Sequence, residues 1–447
     1  MSAATAYDEV RYSNYPYAQT HPDRLATVAG LYGLPTPDPA SARVLEIGCG
    51  AGGNLIAMAT ATPGITALGV DLASGPVADG RATIEAIGID NIELRQGDIS
   101  DLRDGGLGEF DYVIAHGLYA WSPEPVREAT LAACRSHLAA DGIAYVSYNT
   151  HPGGHLRRML REAGEWHARG LDDPRERAER ARGLFSLLDR IQQSDGPSFY
   201  GGVVGDDVHA LATAPESMLV HDLLGDAYEP VWFADFAAAA GRHGLAYVGD
   251  AIPASSRRPP WTEGVDAFVD DAAGEDRIAR EQYFDLLVLR RFRHSLLCRD
   301  EQRPAREVVR TAVQRMLVAE DGEAPVPFET LRERRDADAG ELAEALVGAF
   351  DAGKVSFHAV PSPAARLAGE RPVASALARS QARPGAIVTT LENHVVRIND
   401  EPTAALLGLL DGTRERVAIR EEFPGELTDE SLEAALAKLA ELGLLVA

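Results

Sequence analysis

Between residues 41 and 151 the apolar positions fall into two kinds of block. Short, mostly apolar runs at 44–47, 67–70, 111–115 and 142–149, with a further short segment at 92–96, are separated by stretches whose apolar residues recur every three to four positions. The short runs read as strands buried on both faces, and the stretches between them as helices packed on those faces. Strand and helix alternating five times predict a doubly wound, mostly parallel sheet. A complete sheet of this kind needs two more strands. The pattern offers them far downstream, with a helix over 229–244, a strand over 245–249 and another over 292–299. The predicted fold class is therefore α/β, a Rossmann-like core in two parts, 41–151 and 229–299. The intervening 152–228 reads as a helical insertion, with Arg and Glu at helical spacing from Leu156 to Ile191. Residues 1–40 form an aromatic leader with the character of a lid. Residues 300–372 and 373–447 repeat a helix, a short apolar strand and a Gly turn, and a Pro/Ala/Arg/Gly-rich linker lies between them. Both read as winged-helix-like units.

The first strand runs into a glycine turn, VLEIGCGAGGNL. Glycines there let the backbone approach a ligand with no Cβ in the way. Gly48, Gly50 and Gly53 also satisfy the dinucleotide pattern G-x-G-x-x-G, so the loop alone does not choose the ligand. The later strand ends do. Glu46 suits the amino group of a methionine moiety. Asp71 ends the second strand, where a carboxylate accepts two ribose hydroxyls. Asp98 and Ile99 suit the amine and the face of adenine, and His116 follows the fourth strand. This ordered series favours S-adenosyl-L-methionine over a dinucleotide.

Composition narrows the remaining choices. The chain has 447 residues, enough for two or three domains, and a formal net charge of −25, which argues against nucleic acid or an anionic membrane as partner. The segment 385–447 carries 12 acids against 5 bases, so its winged-helix form predicts a packing or partner surface and not a DNA reader. Cys49, Cys134 and Cys298 are scattered without metal-ligand spacing and suit a reducing cytoplasm. No metal site, membrane span or targeting segment is expected.

Several long strings carry a resemblance. YDEVRYSNYPYAQTHPDRLA, VLEIGCGAGGNL, DYVIAHGLYAW, AYVSYNTHPGG, EPVWFADF and REQYFDLLVLRRFRHSLLC together span most of the chain. The chain resembles bacterial class I methyltransferases bearing the methyltransferase regulatory domain, the group that contains the rickettsial outer-membrane-protein lysine methyltransferases. The resemblance implies a protein-lysine N-methyltransferase-like enzyme, dimeric through the inserted helices. One departure bears on the acceptor. The family reads N-T-Y-P-G-W after its fifth strand, and this chain reads Asn149-Thr150-His151-Pro152-Gly153-Gly154.

The site residues follow from these readings. Tyr17, Thr20, Arg24, Glu46, Gly48, Gly50, Asn54, Asp71, Leu72, Asp98, Ile99 and His116 are the cofactor-binding candidates, Arg24 or His21 meeting its carboxylate. Tyr12, Tyr15, Trp121, Tyr148, Asn149 and His151 are expected to line the acceptor cavity. His116 is the first candidate for a general base, with Tyr119 beside it; a merely shaping role for the imidazole weighs equally. A small-molecule acceptor and a catalytically silent binding module remain as alternatives. The intact series from Glu46 to Asp98 opposes the latter.

Overall fold

The computed structural model describes residues 9–12, 14–195, 199–252, 264–320 and 324–447; the start of the predicted lid lies outside them. The central sheet has seven strands: β1 (Arg43–Ile47), β2 (Thr66–Asp71), β3 (Ile92–Gln96), β4 (Phe110–Ala115), β5 (Leu138–Asn149), β6 (Leu245–Asp250) and β7 (Phe292–Arg299). Their order is β3-β2-β1-β4-β5-β7-β6. The first five run parallel, and β7 inserts antiparallel between β5 and β6. The two downstream strands thus return to the sheet begun by residue 43.

Side chains alternate across each strand. Val44, Tyr112, Ile143 and Tyr145 join one core with the helices Pro22–Leu31, Gly53–Ala61 and Ser74–Ile87. Leu45, Val113, Ala144, Val146 and Tyr148 join the other, under helices Glu124–His137 and Phe233–Arg242. Burial on both faces is why these strands read as unbroken apolar runs.

The return strands are tied by a buried ion cluster. Arg293 on β7 and Asp285 on helix Arg277–Val288 are both fully buried and paired through two hydrogen bonds of 2.8 Å. Arg290 also donates to Asp285, and Arg293 reaches Glu281 at 3.0 Å while lying over the Phe233 ring.

The helices Gly154–His167, Pro174–Asp195 and Phe199–Thr213 enclose a separate apolar core. Val10 of the leader is buried in that same core. Residues 300–358 contribute a small antiparallel sheet of β8 (Leu317–Glu320), β9 (Val326–Pro327) and β10 (Val355–His358), with helices Phe328–Arg335 and Ala339–Asp351. The last unit pairs β11 (Ile387–Thr389) with β12 (Val395–Arg397) as a wing beside helices Glu401–Leu409, Arg416–Glu422 and Asp429–Glu441. It has its own core, and its Leu377 also enters the core of the large sheet. No helix among the described residues is long and apolar enough to cross a membrane.

Candidate active site

The crevice above the C-terminal ends of β1, β2 and β4 gathers most of the cofactor candidates. The β1 turn holds Gly48, Gly50 and Gly52 at positive φ, conformations that L side chains rarely adopt. At Gly50 (φ +55°) no atom stands within 4 Å of where a Cβ would be, so its backbone faces open space. Its N–H donates to Asp71 Oδ2 at 2.8 Å, and the Ala73 N–H donates to Asp71 Oδ1 at 2.8 Å. Asp71 therefore shapes the loop.

Glu46 is 4% exposed. Its Oε1 accepts from Asn54 Nδ2 at 2.9 Å, while Oε2 is buried without a partner among the described residues. Burial pushes the carboxyl up to about 8 despite the Asn54 bond, and the Asp71 charge adds to the rise. An unpaired buried carboxylate oxygen is costly unless a cation meets it, so the α-ammonium of S-adenosylmethionine fits here.

Asn54 is the hub between this acid and the leader. Its Oδ1 accepts from the Tyr17 N–H at 2.9 Å and from Thr20 Oγ1 at 3.1 Å. Asn14 adds a contact that the sequence reading missed, its Oδ1 accepting from the Gly53 N–H at 2.7 Å. Further out, Tyr12 donates to Asp222 Oδ2 at 3.0 Å, and the Val10 carbonyl lies 2.7 Å from His221 Nε2. The leader thus crosses from the helical insertion to the glycine loop. Arg24 is half-buried and makes no hydrogen bond or ion pair among the described residues, while burial lowers its pKa. Its charge is available to a carboxylate.

His116 sits at the end of β4 beneath Tyr17, ring centroids 3.9 Å apart. Its Nδ1 lies 3.0 Å from the Tyr145 hydroxyl and 3.1 Å from Ser147 Oγ. Ser147 Oγ also accepts from the Gly117 N–H at 2.9 Å, so the two hydroxyls hold the ring through Nδ1. Burial, helped by His294, lowers the imidazole pKa to about 3. A ring of that basicity is neutral at physiological pH and is a poor acceptor for a lysine proton, so the geometry favours the shaping role over the base.

The remaining candidates divide. Leu72 is exposed beside Asp71, and Ile99 packs on the core next to Asp98, whose carboxylate caps its own turn by accepting from the Ser100 N–H at 2.8 Å. Tyr15 stands exposed in the leader. Tyr119 and Tyr148 are not brought to the His116 group. Tyr119 is buried against Tyr148 and Phe236, and Tyr148 bonds Ser295 Oγ at 2.9 Å. The reason is strand alternation, because Tyr148 lies an odd number of residues from Tyr145 and points to the opposite face. Tyr145 and Ser147 are the residues that meet His116, and the same alternation could have found them. Trp121 is taken up by the insertion, 5.1 Å from Tyr228 and under Arg157 and Arg161.

Asn149 is buried with Oδ1 unpaired, and His151 stacks on His155 at 4.0 Å beside Trp232. At Gly154 a Cβ would come within 2.6 Å of the Pro230 side chain. The altered stretch after β5 is therefore accommodated by its neighbours, and no bulky ring fits at 154 without moving Pro230.

Comparison with known proteins agrees with this geometry. Residues 44–142 match the methyltransferase domain family, 215–299 the predicted methyltransferase regulatory domain, and 370–440 the PKMT C-terminal winged helix domain. Uncharacterized protein RP028 of Rickettsia prowazekii is 32% identical over 232 residues, covering 52% of this chain and 92% of that protein. The chain belongs to the methyltransferases that carry this regulatory domain. Within that family, RP789 of the same organism is 34% identical over 307 residues, 68% of this chain. The chain spans about half the length of RP789, 54%. The structure of PKMT2 from Rickettsia typhi in complex with AdoHcy superposes with a TM-score of 0.85 at 24% identity, covering 98% of this chain and all of that one. The likeness in fold thus extends through both C-terminal units.

Proposed function

We propose that this methyltransferase uses S-adenosyl-L-methionine to methylate the side-chain amine of lysine in a protein or peptide. The observation that carries the cofactor is the bare Glu46 Oε2, set beside a glycine loop and the Asp71 carboxylate. The lysine acceptor is supported by the PKMT winged-helix match and by likeness to PKMT2 along the whole chain.

Bound S-adenosylmethionine supplies an activated methyl on a sulfonium. The residues of this chain hold and orient. Glu46 meets the amine, Asp71 the ribose, Asp98 and Ile99 the adenine, and Arg24 the carboxylate. Tyr17 and His116 form a wall of two rings tilted 39° to each other, and an aromatic face next to a sulfonium is electrostatically favourable. The acceptor amine must arrive unprotonated, and neutral His116 positions and does not deprotonate. Aligning nucleophile and methyl is then the main contribution to rate. Tyr12, Tyr15, Asn149 and His151 flank the approach. The same reading makes the enzyme a cytoplasmic homodimer.

Incubating cell extract with the protein and deuterated-methyl cofactor tests this directly. Label on lysine in proteins supports the reading. Label confined to small molecules transfers the assignment to a small-molecule methyltransferase, and no label above a Glu46→Gln control points to a silent binding module.

A further inference from the structure

The helix Pro22–Leu31 is shared by two units. On one side, the turn that precedes it delivers Tyr17 and Thr20 to Asn54, and Asn54 holds Glu46. On the other, the 300–358 unit and the chain leaving it grip both ends of the helix. At the C-terminal end the Val309 N–H donates to Leu31 O at 2.7 Å, the Ala305 N–H donates to Tyr32 O at 2.8 Å, and the Leu31 side chain is buried in that unit's core. At the N-terminal end one carboxylate, Asp23, receives three groups from the end of β10. His358 Nδ1 lies 2.9 Å from Oδ2, and the Ala359 and Val360 N–H groups donate to Oδ1 at 2.6 and 3.1 Å.

The polar contact is built from both directions. The other ring nitrogen of His358 meets Ser356 Oγ at 2.9 Å, which fixes the imidazole in its plane. The Asp23 N–H in turn donates to His21 Nδ1 at 3.2 Å, so the clamped residue and the helix cap are one assembly. Although burial alone would raise the Asp23 carboxyl, His358 and the amides hold it below the usual carboxylate range. From His358 to Glu46 the chain of contacts is unbroken: Asp23, the His21–Tyr17 turn, Asn54, Glu46.

We infer that His358 is a positioning residue for the cofactor. By fixing Asp23 it sets the turn that holds Asn54 and Glu46 against the amino-acid end of S-adenosylmethionine, so the unit outside the sheet tunes cofactor binding within it. This rests on the cofactor reading above. The effect is selective, because the clamped turn touches the part of the site that meets the amine and carboxylate. The nucleoside end is held by Asp71 and Asp98 on other elements.

The test compares two ligands by calorimetry on the full chain. S-adenosylhomocysteine has the amine and carboxylate; methylthioadenosine keeps the nucleoside and lacks both. His358→Ala is expected to weaken S-adenosylhomocysteine roughly fivefold or more, the scale of inter-site coupling, with methylthioadenosine unchanged. His358→Asn, whose amide can donate to Asp23 as Nδ1 does, is expected to restore the wild-type preference. Asp23→Asn, nearly isosteric, provides the same readout should His358→Ala fold poorly. Equal weakening of both ligands, or no change in either, overturns the inference while leaving the cofactor reading intact. Wild-type protein that binds neither ligand overturns both.

Discussion

Glu46 presents one carboxylate oxygen to Asn54 Nδ2 at 2.9 Å and keeps the other buried and, among the described residues, bare. The pair links the end of β1 to the helix that follows the glycine loop. Asn54 also accepts from Tyr17 and Thr20, so the contact ties the leader to the end of β1. A carboxyl held this way has a stability signature of its own. Its folded pKa of about 8 lies above the ordinary 4.5, so between those values the folded protein holds a proton that the unfolded chain has released. The ligand-free protein should lose stability as pH rises through that window, by at most about 1.4 kcal/mol per pH unit from this one group. Glu46→Gln should flatten the slope, and thermal unfolding of both proteins from pH 5 to 8 measures it. Indistinguishable slopes would show that Glu46 is not held protonated.

Asp71 has a double task, and its removal should show both. Asp71→Ala deletes the acceptor for the Gly50 and Ala73 amides as well as the proposed ribose contact. Each charge-assisted hydrogen bond contributes about 1.5 to 3 kcal/mol, so affinity for S-adenosylhomocysteine should fall at least tenfold. Calorimetry decides this, and unchanged affinity would remove Asp71 from the site.

His116 should leave no mark on the pH profile of turnover near neutrality, because burial holds its pKa at about 3. His116→Ala is expected to lower turnover through the lost Tyr17 stack, by less than the roughly hundredfold that removal of a general base costs. The acidic limb of a kcat profile between pH 5 and 8 should be the same in both proteins. A limb present in the wild type and absent from the variant would restore the base role.

The buried pair Asp285–Arg293 should be the most sensitive point of the return strands. Asp285→Ala leaves Arg293, which is fully buried, without its bidentate partner. Loss of one member of such a pair costs about 3 to 5 kcal/mol. Denaturant unfolding should show it as a large fall in midpoint. A change under 1 kcal/mol would mean that Glu281 and the Tyr247 hydroxyl, 3.0 and 3.2 Å from Arg293, suffice to hold the charge.

The sheet and its discontinuity were legible because strands buried on both faces must be apolar throughout, and helices packed on them must repeat every three to four residues. The placement of Glu46, Gly50 and Asp71 beside one another was legible because strand ends in such a sheet open on one side, so order along the chain is nearly order in space. The surroundings of Tyr119, Tyr148 and Trp121 were not. All three are aromatic and near strand ends, but which face an aromatic ring occupies depends on what packs there. Phe236 and Ser295 draw Tyr119 and Tyr148 into the far core, and Tyr228 with two arginines draws Trp121 to the insertion. The basicity of His116 was equally out of reach, since burial and the Tyr145 and Ser147 hydroxyls arise only when β5 lies beside β4. The sequence by itself determined which backbone segments form the crevice, because hydrophobic periodicity is a local property. Only the tertiary structure decided which side chains face it and in what protonation state, because burial and partner distance are set by residues far away in the chain.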